Sequence, residues 1–279
     1  AVRNLKTKIV GWVAFGGLWE LVFATRISAP LVESCRTFQP DLLYSICTDL
    51  SHVELTLQLA EALKVPLCIQ VEDDWFGALY ATGFARIFLR GRVKRAVHRL
   101  ISVSSTRLSN GPLMTEAYQR DYGCKFEPVF LSDDIARFDR IPHRPREQSG
   151  ERTVVYSGSL QLDRWEGLLD LDKALELLPP ELGPVRVLVF TNHVSLAAAE
   201  RLAACPRIEL RPGLADADVP AVLKEADLVF LPESFHQQWR QYIRYSISSK
   251  AHLYMMSGRP TIVYAPSGIG VVEYARRDK

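Results

Sequence analysis

The chain has 279 residues, 48% apolar and 24% charged, a soluble globular mix long enough for one large domain or two ordinary ones. Its net charge of +2 supplies no global field for nucleic acid. Cysteines 35, 47, 68, 124 and 205 are scattered, odd in number and free of any C-x-x-C, which reads as reduced thiols in a cytosolic protein rather than a disulfide frame or zinc site.

The first distinctive segment is the apolar run 9–24, "IVGWVAFGGLWELVFA". It contains Glu20 and falls short of the roughly 20 apolar residues a membrane span needs, so it reads as a buried or surface-docked helix, with membrane contact as the alternative. Apolar runs then alternate with helical patterns. Strands are expected at 41–46, 66–71, 100–104 and 127–131, and helices at 51–64, about 76–99 with a break at Gly91, and 110–122. The stretch 139–152, "DRIPHRPREQSGER", is the best linker. Beyond it the alternation restarts, with strands at 153–158, 185–191, 208–212, 227–232 and 260–265. Helices are expected at 164–178, 195–204, 216–225, 249–257 and 269–276.

Continuous apolar strands separated by helices imply parallel sheets covered on both faces. The expected class is α/β, with two Rossmann-like domains facing a cleft: 1–140, and 151–279. In open parallel sheets ligands bind beyond the carboxyl ends of the strands, so the loops there carry the chemistry.

In the first half that edge holds "QVEDDW". One of Asp73 and Asp74 suits an N-cap. The other suits a general base, since clustered carboxylates raise one another's pKa; Asp73 is taken first. The helical stretch 86–99 carries six Arg or Lys and no acid, with apolar residues interleaved. Nucleic acid, an anionic membrane surface and a solvated helix face are its three readings.

In the second half, "SSKAHLYMMSGRP" (248–260) reads as a helix capped by Ser248 or Ser249, with Lys250 in its first turn. A cation there opposes the helix dipole, a conflict that a bound phosphate reverses. The alternative is a solvated lysine whose stem covers apolar surface. Gly158 directly follows a strand, and Arg164, near the next helix start, is similarly misplaced by dipole logic. Gly268 and Gly270 form another strand-to-helix turn. Because Gly270 is followed by Val271, Val272 and Glu273, no complete G-x-G-x-x-G exists, which argues against a dinucleotide dehydrogenase.

The segments "YSGSLQLDRWEGLLDLDKALELLP", "EADLVFLPESF" and "YSISSKAHLYMMSGRPTIVYAPSGIGVVEYA" resemble the donor-binding half of GT-B-fold bacterial glycosyltransferases, family-4-like, with an S-x-x-S-K-x-x-x-Y-x-x-x-G-R-P-like segment. "FQPDLLYSI", "VPLCIQVEDDW" and "LISVSSTRLSNGPLMTEAYQRDYG" are similar to their acceptor side. The resemblance implies a nucleotide-sugar donor. Lys250 and Arg164 would neutralise its diphosphate, Ser249 and the Gly158 backbone would add hydrogen bonds, and Glu233 would take a donor contact. Gly268 and Gly270 would line the same site.

No metal or cofactor is implied beyond the nucleotide-diphosphate sugar as co-substrate. The acceptor would be a cell-surface glycan or a lipid-linked molecule. This ranks an anionic membrane above nucleic acid as partner of 86–99, and places the protein in the cytoplasm or on the inner membrane face. The chain departs from the E-x7-E pattern at both ends, with Tyr245 and Leu253 in the glutamate slots. The competing readings are therefore a nucleotide-sugar epimerase or hydrolase, and a non-catalytic binder of the same ligand. Strands at the start and a closing helix, usual in such proteins, are not evident, which suggests a fragment or a minimal variant.

Overall fold

The computed structural model describes residues 25–277, except 82, 84 and 143–149. The apolar run 9–24 lies outside the described residues. Those described fall into two compact units. The first runs to Val129 and takes back Gln241–Ser246; the second holds Phe130–Arg240 and continues from Ile247.

In the first unit, α1 (Ala29–Phe38) starts at Ser28, whose hydroxyl accepts from the Leu31 amide at 3.3 Å, and stops at Gln39 in the left-handed region. Strand β1 (Leu43–Ile46) leads to α2 (Leu50–Leu63), where Asp49 accepts from the His52 amide at 2.9 Å. Leu50, Val53 and Leu57 recur at helical spacing and are buried. Strand β2 (Leu67–Val71) is followed by the single turn α3 (Trp75–Ala78) and by α4 (Ala85–Val103). Then come β3 (Thr106–Asn110), α5 (Pro112–Tyr122) and β4 (Glu127–Val129). Glycines 111 and 123 and Pro112 bracket α5, Pro at the first position and Gly just past the last. The four strands form a parallel sheet in the order β1-β2-β3-β4.

Two expectations here are corrected. Residues 100–104 are not a strand but the end of α4, because Leu89, Val93, Val97, Leu100 and Ile101 share one buried helical face. Arg107, from β3, donates to the Ile101 and Ser104 carbonyls at 2.6 Å each, satisfying acceptors that the helix end leaves open. The strand follows at 106–110 instead. The helix also continues through Gly91 without a break.

The second unit opens with the turn α6 (Ala136–Asp139). It continues with β5 (Arg152–Ser157), α7 (Trp165–Leu175), β6 (Val185–Phe190), α8 (Leu196–Ala203), β7 (Ile208–Arg211), α9 (Val219–Glu225) and β8 (Leu228–Pro232). Helix α10 (Gln237–Ile243) was not foreseen; α11 (Ala251–Met256), β9 (Thr261–Tyr264) and α12 (Gly270–Arg277) complete the described chain. All five strands are parallel, in the order β7-β6-β5-β8-β9. Val187, Val189, Tyr156, Phe230 and Leu168 form the core.

The division between units falls after Val129, ahead of the expected linker. Phe138 is fully buried, and Lys224 Nζ donates to the Phe138 and Ile141 carbonyls at 2.8 and 2.9 Å. Residues 130–141 are thereby tied to the second unit.

Candidate functional site

Order in the second sheet sets β5 beside β8, so loops some 70 residues apart in sequence meet at one carboxyl edge. Helix α11 is pinned to this edge by Tyr254. Its buried hydroxyl accepts from the Ser157 amide at 2.9 Å and lies 3.3 Å from the Ser157 carbonyl.

Gly158 follows with φ +146°, a conformation side chains rarely adopt. A Cβ there would lie 2.2 Å from Lys250 Cε and 2.9 Å from Cδ, so the lysine stem occupies the space that the glycine vacates. Lys250 Nζ is 5.9 Å from the centre of the Tyr156 ring. The Gly158 amide, expected to face a ligand, donates instead to the Phe190 carbonyl at 2.9 Å. Its contribution is room, not a hydrogen bond.

Helix α11 also differs from expectation. Lys250 is itself the N-cap, and neither preceding serine side chain caps the helix; the Ala251 amide bonds to the Ser248 carbonyl. Ser249 is exposed, while Ser248 Oγ is buried with no hydrogen-bond partner among the described residues.

Arg164 caps the start of α7 and turns its guanidinium onto Glu233, Nε to Oε2 at 2.8 Å. The Glu233 carboxylate is 3% exposed and the arginine 13%, so the pair is nearly dry. Burial next to this pair and Tyr254 pushes the Tyr156 hydroxyl well above its ordinary range. Gly158, Arg164, Glu233 and Lys250 thus gather around Tyr156. Gly268, at φ +80°, and buried Gly270 lie on the β9–α12 turn, and Ser249 stays on the surface.

The first unit places its two acids differently. Asp74 caps α3 and is 2% exposed. Oδ1 accepts from the Gly77 amide at 3.2 Å and the Tyr118 hydroxyl at 2.8 Å, and Oδ2 takes Arg244 Nε at 2.5 Å. Burial nevertheless raises its pKa, against the lowering by Arg244, Tyr118 and Gly77. Asp74 thus fills the N-cap role, one of the two roles weighed for this pair of acids, with hydrogen bonds on both oxygens. Asp73 is only half-buried.

Three of the six cations of 86–99 are spent inside this unit. Arg92 pairs with Glu54 on α2 at 2.8 Å, Arg99 with Glu61 at 3.3 Å, and Arg90 donates to the Phe76 and Leu79 carbonyls. Arg86, Lys94 and Arg95 remain on the surface with Ile87 and Phe88. Among the described residues no group of three or more His, Cys, Asp or Glu could hold a metal, and no helix is long and apolar enough to cross a membrane.

Two parallel α/β units of this kind, with a glycine-bearing carboxyl edge in the second, define the GT-B fold, and comparison with solved structures shows that fold for this chain. The Anabaena protein HepE, solved in complex with UDP-glucose, is 18% identical with a TM-score of 0.59, over 93% of this chain and 72% of that one. Sucrose-phosphate synthase from Thermosynechococcus elongatus is 13% identical at TM-score 0.57, over 84% and 59%. The α,α-trehalose 6-phosphate synthase from Burkholderia multivorans is 11% identical at TM-score 0.57, over 88% and 61%. The chain thus spans less than two thirds of the length of both synthases. No family model matches the chain, and no curated protein sequence does.

Proposed function

We propose that the second unit binds a nucleotide-diphosphate sugar and that the protein transfers its sugar to a glycan or lipid-linked acceptor. The observation that carries this reading is Lys250 laid across Gly158 at the carboxyl end of β5. A side chain is excluded there, and a cation is held where the fold leaves strand-end loops for a ligand. The solved HepE complexes with UDP and UDP-glucose support the choice of a uridine diphosphate as first probe.

Breaking a sugar–phosphate bond places charge on the departing diphosphate. Lys250 Nζ would meet that charge as it grows, a fixed cation being worth more against the more highly charged transition state than against the ground-state diphosphate. Arg164, held in place by Glu233, would add a second positive charge beside the diphosphate. No step in this scheme uses a metal. Asp73 is the candidate base for an acceptor hydroxyl.

The exposed Arg86, Lys94 and Arg95 beside Ile87 and Phe88 suit an anionic membrane surface, which would bring a lipid-linked acceptor to an enzyme on the cytoplasmic face.

A second reading is favoured by one observation. Tyr245, in one of the two positions where related enzymes carry glutamate, packs against Tyr118 at 6.5 Å between ring centres and under Arg244 at 4.3 Å. A side chain so placed is structural, and a protein lacking both acids could bind the sugar nucleotide without turnover. Incubation with UDP-glucose and candidate acceptors separates the possibilities. Release of UDP that depends on acceptor supports transfer. Release without acceptor points to a hydrolase, interconversion of the sugar to an epimerase, and binding with no product to the non-catalytic reading.

A further inference from the structure

Five non-glycine residues among those described have positive φ: Gln39, Lys64, Tyr80, Leu162 and Asp163. Gln39 and Lys64 end helices, where that conformation is ordinary. Leu162 (φ 59°) and Asp163 (φ 57°) are consecutive and sit in the loop between β5 and α7, directly before Arg164. The Arg164 amide reaches the Gln161 carbonyl at 3.5 Å, so residues 161–164 have the outline of a mirror-image turn. Such turns normally take glycine, asparagine or aspartate at both central positions. A leucine there is strained, and strain of this kind persists only when neighbours over-determine it.

The neighbours are in the segment that follows β8. Trp239 Nε1 donates to Asp163 Oδ2 at 2.7 Å, Arg164 Nε meets Glu233 at 2.8 Å, and His236 Nε2 lies 2.9 Å from Glu166 Oε2. Three side-chain bridges therefore stitch residues 163–166 to residues 233–239. The Glu233 bridge is nearly dry and ends on the candidate site. Trp239 is on α10, is not itself assigned to the ligand, and bonds to the strained turn.

We propose that Trp239 and Asp163 are positioning residues: their hydrogen bond holds the 161–164 turn in its left-handed form and so fixes where the Arg164 guanidinium points. The backbone direction at 162–163 sets the exit of Arg164. Relaxation of either residue to negative φ would swing the arginine away from Glu233. The part of this inference that concerns nucleotide rests on the function proposed above; the clamp itself does not.

The test uses Trp239→Phe, which keeps an aromatic ring but removes the donor, and the double variant Leu162→Gly/Trp239→Phe. In the second, glycine adopts the turn without restraint. Hydrogen exchange of the Glu166 and Gly167 amides, which bond to the Asp163 and Arg164 carbonyls, reads the turn without any ligand. Titration with UDP reads the site.

Trp239→Phe is expected to speed exchange at those two amides, leave the β-strand amides unchanged and weaken UDP binding roughly tenfold, the scale of one charge-assisted hydrogen bond. Adding Leu162→Gly is expected to recover most of that affinity. Unchanged exchange in Trp239→Phe overturns the clamp. Faster exchange with parental UDP affinity, or no recovery with glycine, overturns the positioning role. A parent that binds no UDP while Trp239→Phe still loosens the turn removes the nucleotide reading and leaves the clamp standing.

Discussion

Replacing Gly158 by alanine tests the site at the atom on which it turns. The new Cβ would lie 2.2 Å from Lys250 Cε and 2.9 Å from Cδ. Those atoms belong to a flexible stem, so the lysine can move, but only by leaving its present course beside Tyr156. The backbone cannot escape so easily. At φ +146° a residue with a side chain is strained by about 1–3 kcal/mol. Gly158→Ala should therefore lower stability by that amount. It should also cost affinity for UDP, because displacing Lys250 removes a charge-assisted contact worth roughly 1.5–3 kcal/mol, or about 10- to 150-fold in Kd. Thermal melts with and without UDP give both terms. Combining the change with Lys250→Ala deletes the clashing atoms, so the double variant should lose less than the sum of the two singles. A Gly158→Ala protein that melts and binds as the parent does would refute the argument.

Asp74→Ala should destabilise the first unit by roughly 1–3 kcal/mol, since it strips a cap and orphans the buried Tyr118 hydroxyl, and a melt equal to the parent's would exclude that role. If Asp73 is the base, Asp73→Asn slows acceptor-dependent UDP release by about 10²–10⁴-fold with donor affinity intact, and a normal rate would exclude it. Burial lowers the His252 pKa in the folded state below its ordinary value of 6.5, only partly offset by Asp133 and the Ser249 backbone. The unfolded chain then binds the proton more readily, so this stability is present above pH 6.5 and is lost as pH falls from there through the folded-state value. His252→Gln should flatten the acid side of a melting-temperature profile, and an identical profile in the variant would dismiss the residue. Replacing Arg86, Lys94 and Arg95 by glutamine should release the protein from phosphatidylglycerol vesicles, each cation contributing about 1 kcal/mol before screening. Parental co-sedimentation of that triple variant, or none by the parent itself, would end the membrane reading.

The elements easiest to read from sequence were those whose pattern is local. The strand 185–190 is apolar at every position but Arg186, and the helix over 196–203 follows a serine that caps it. At 100–104 the apolar residues looked like a strand because a short run has no period of its own. Only Leu89, Val93 and Val97 upstream make it the last turn of α4. Helix α10 escaped because only Ile243 in it is buried, and nothing in "QYIRYS" announces that 241–246 returns to the first unit.

The same distinction runs through the site. Arg164, Glu233 and Lys250 could be nominated one at a time, from a misplaced charge or a strand-end position. That Arg164 would meet Glu233 depends on β5 and β8 being neighbours, a property of sheet order. The Leu162–Asp163 turn was not legible, because a leucine at a left-handed position gives no turn signal and the Trp239–Asp163 hydrogen bond joins residues 76 apart in sequence.

The central claim is that Lys250 holds the diphosphate of a sugar nucleotide at the carboxyl edge of the second sheet. Calorimetric titration of UDP-glucose into the parent and into Lys250→Ala tests it most directly. The account predicts saturable binding by the parent that persists when divalent metal is chelated, at least tenfold weaker in the variant, with the unliganded melting temperatures alike. Equal affinities in the two proteins would contradict it.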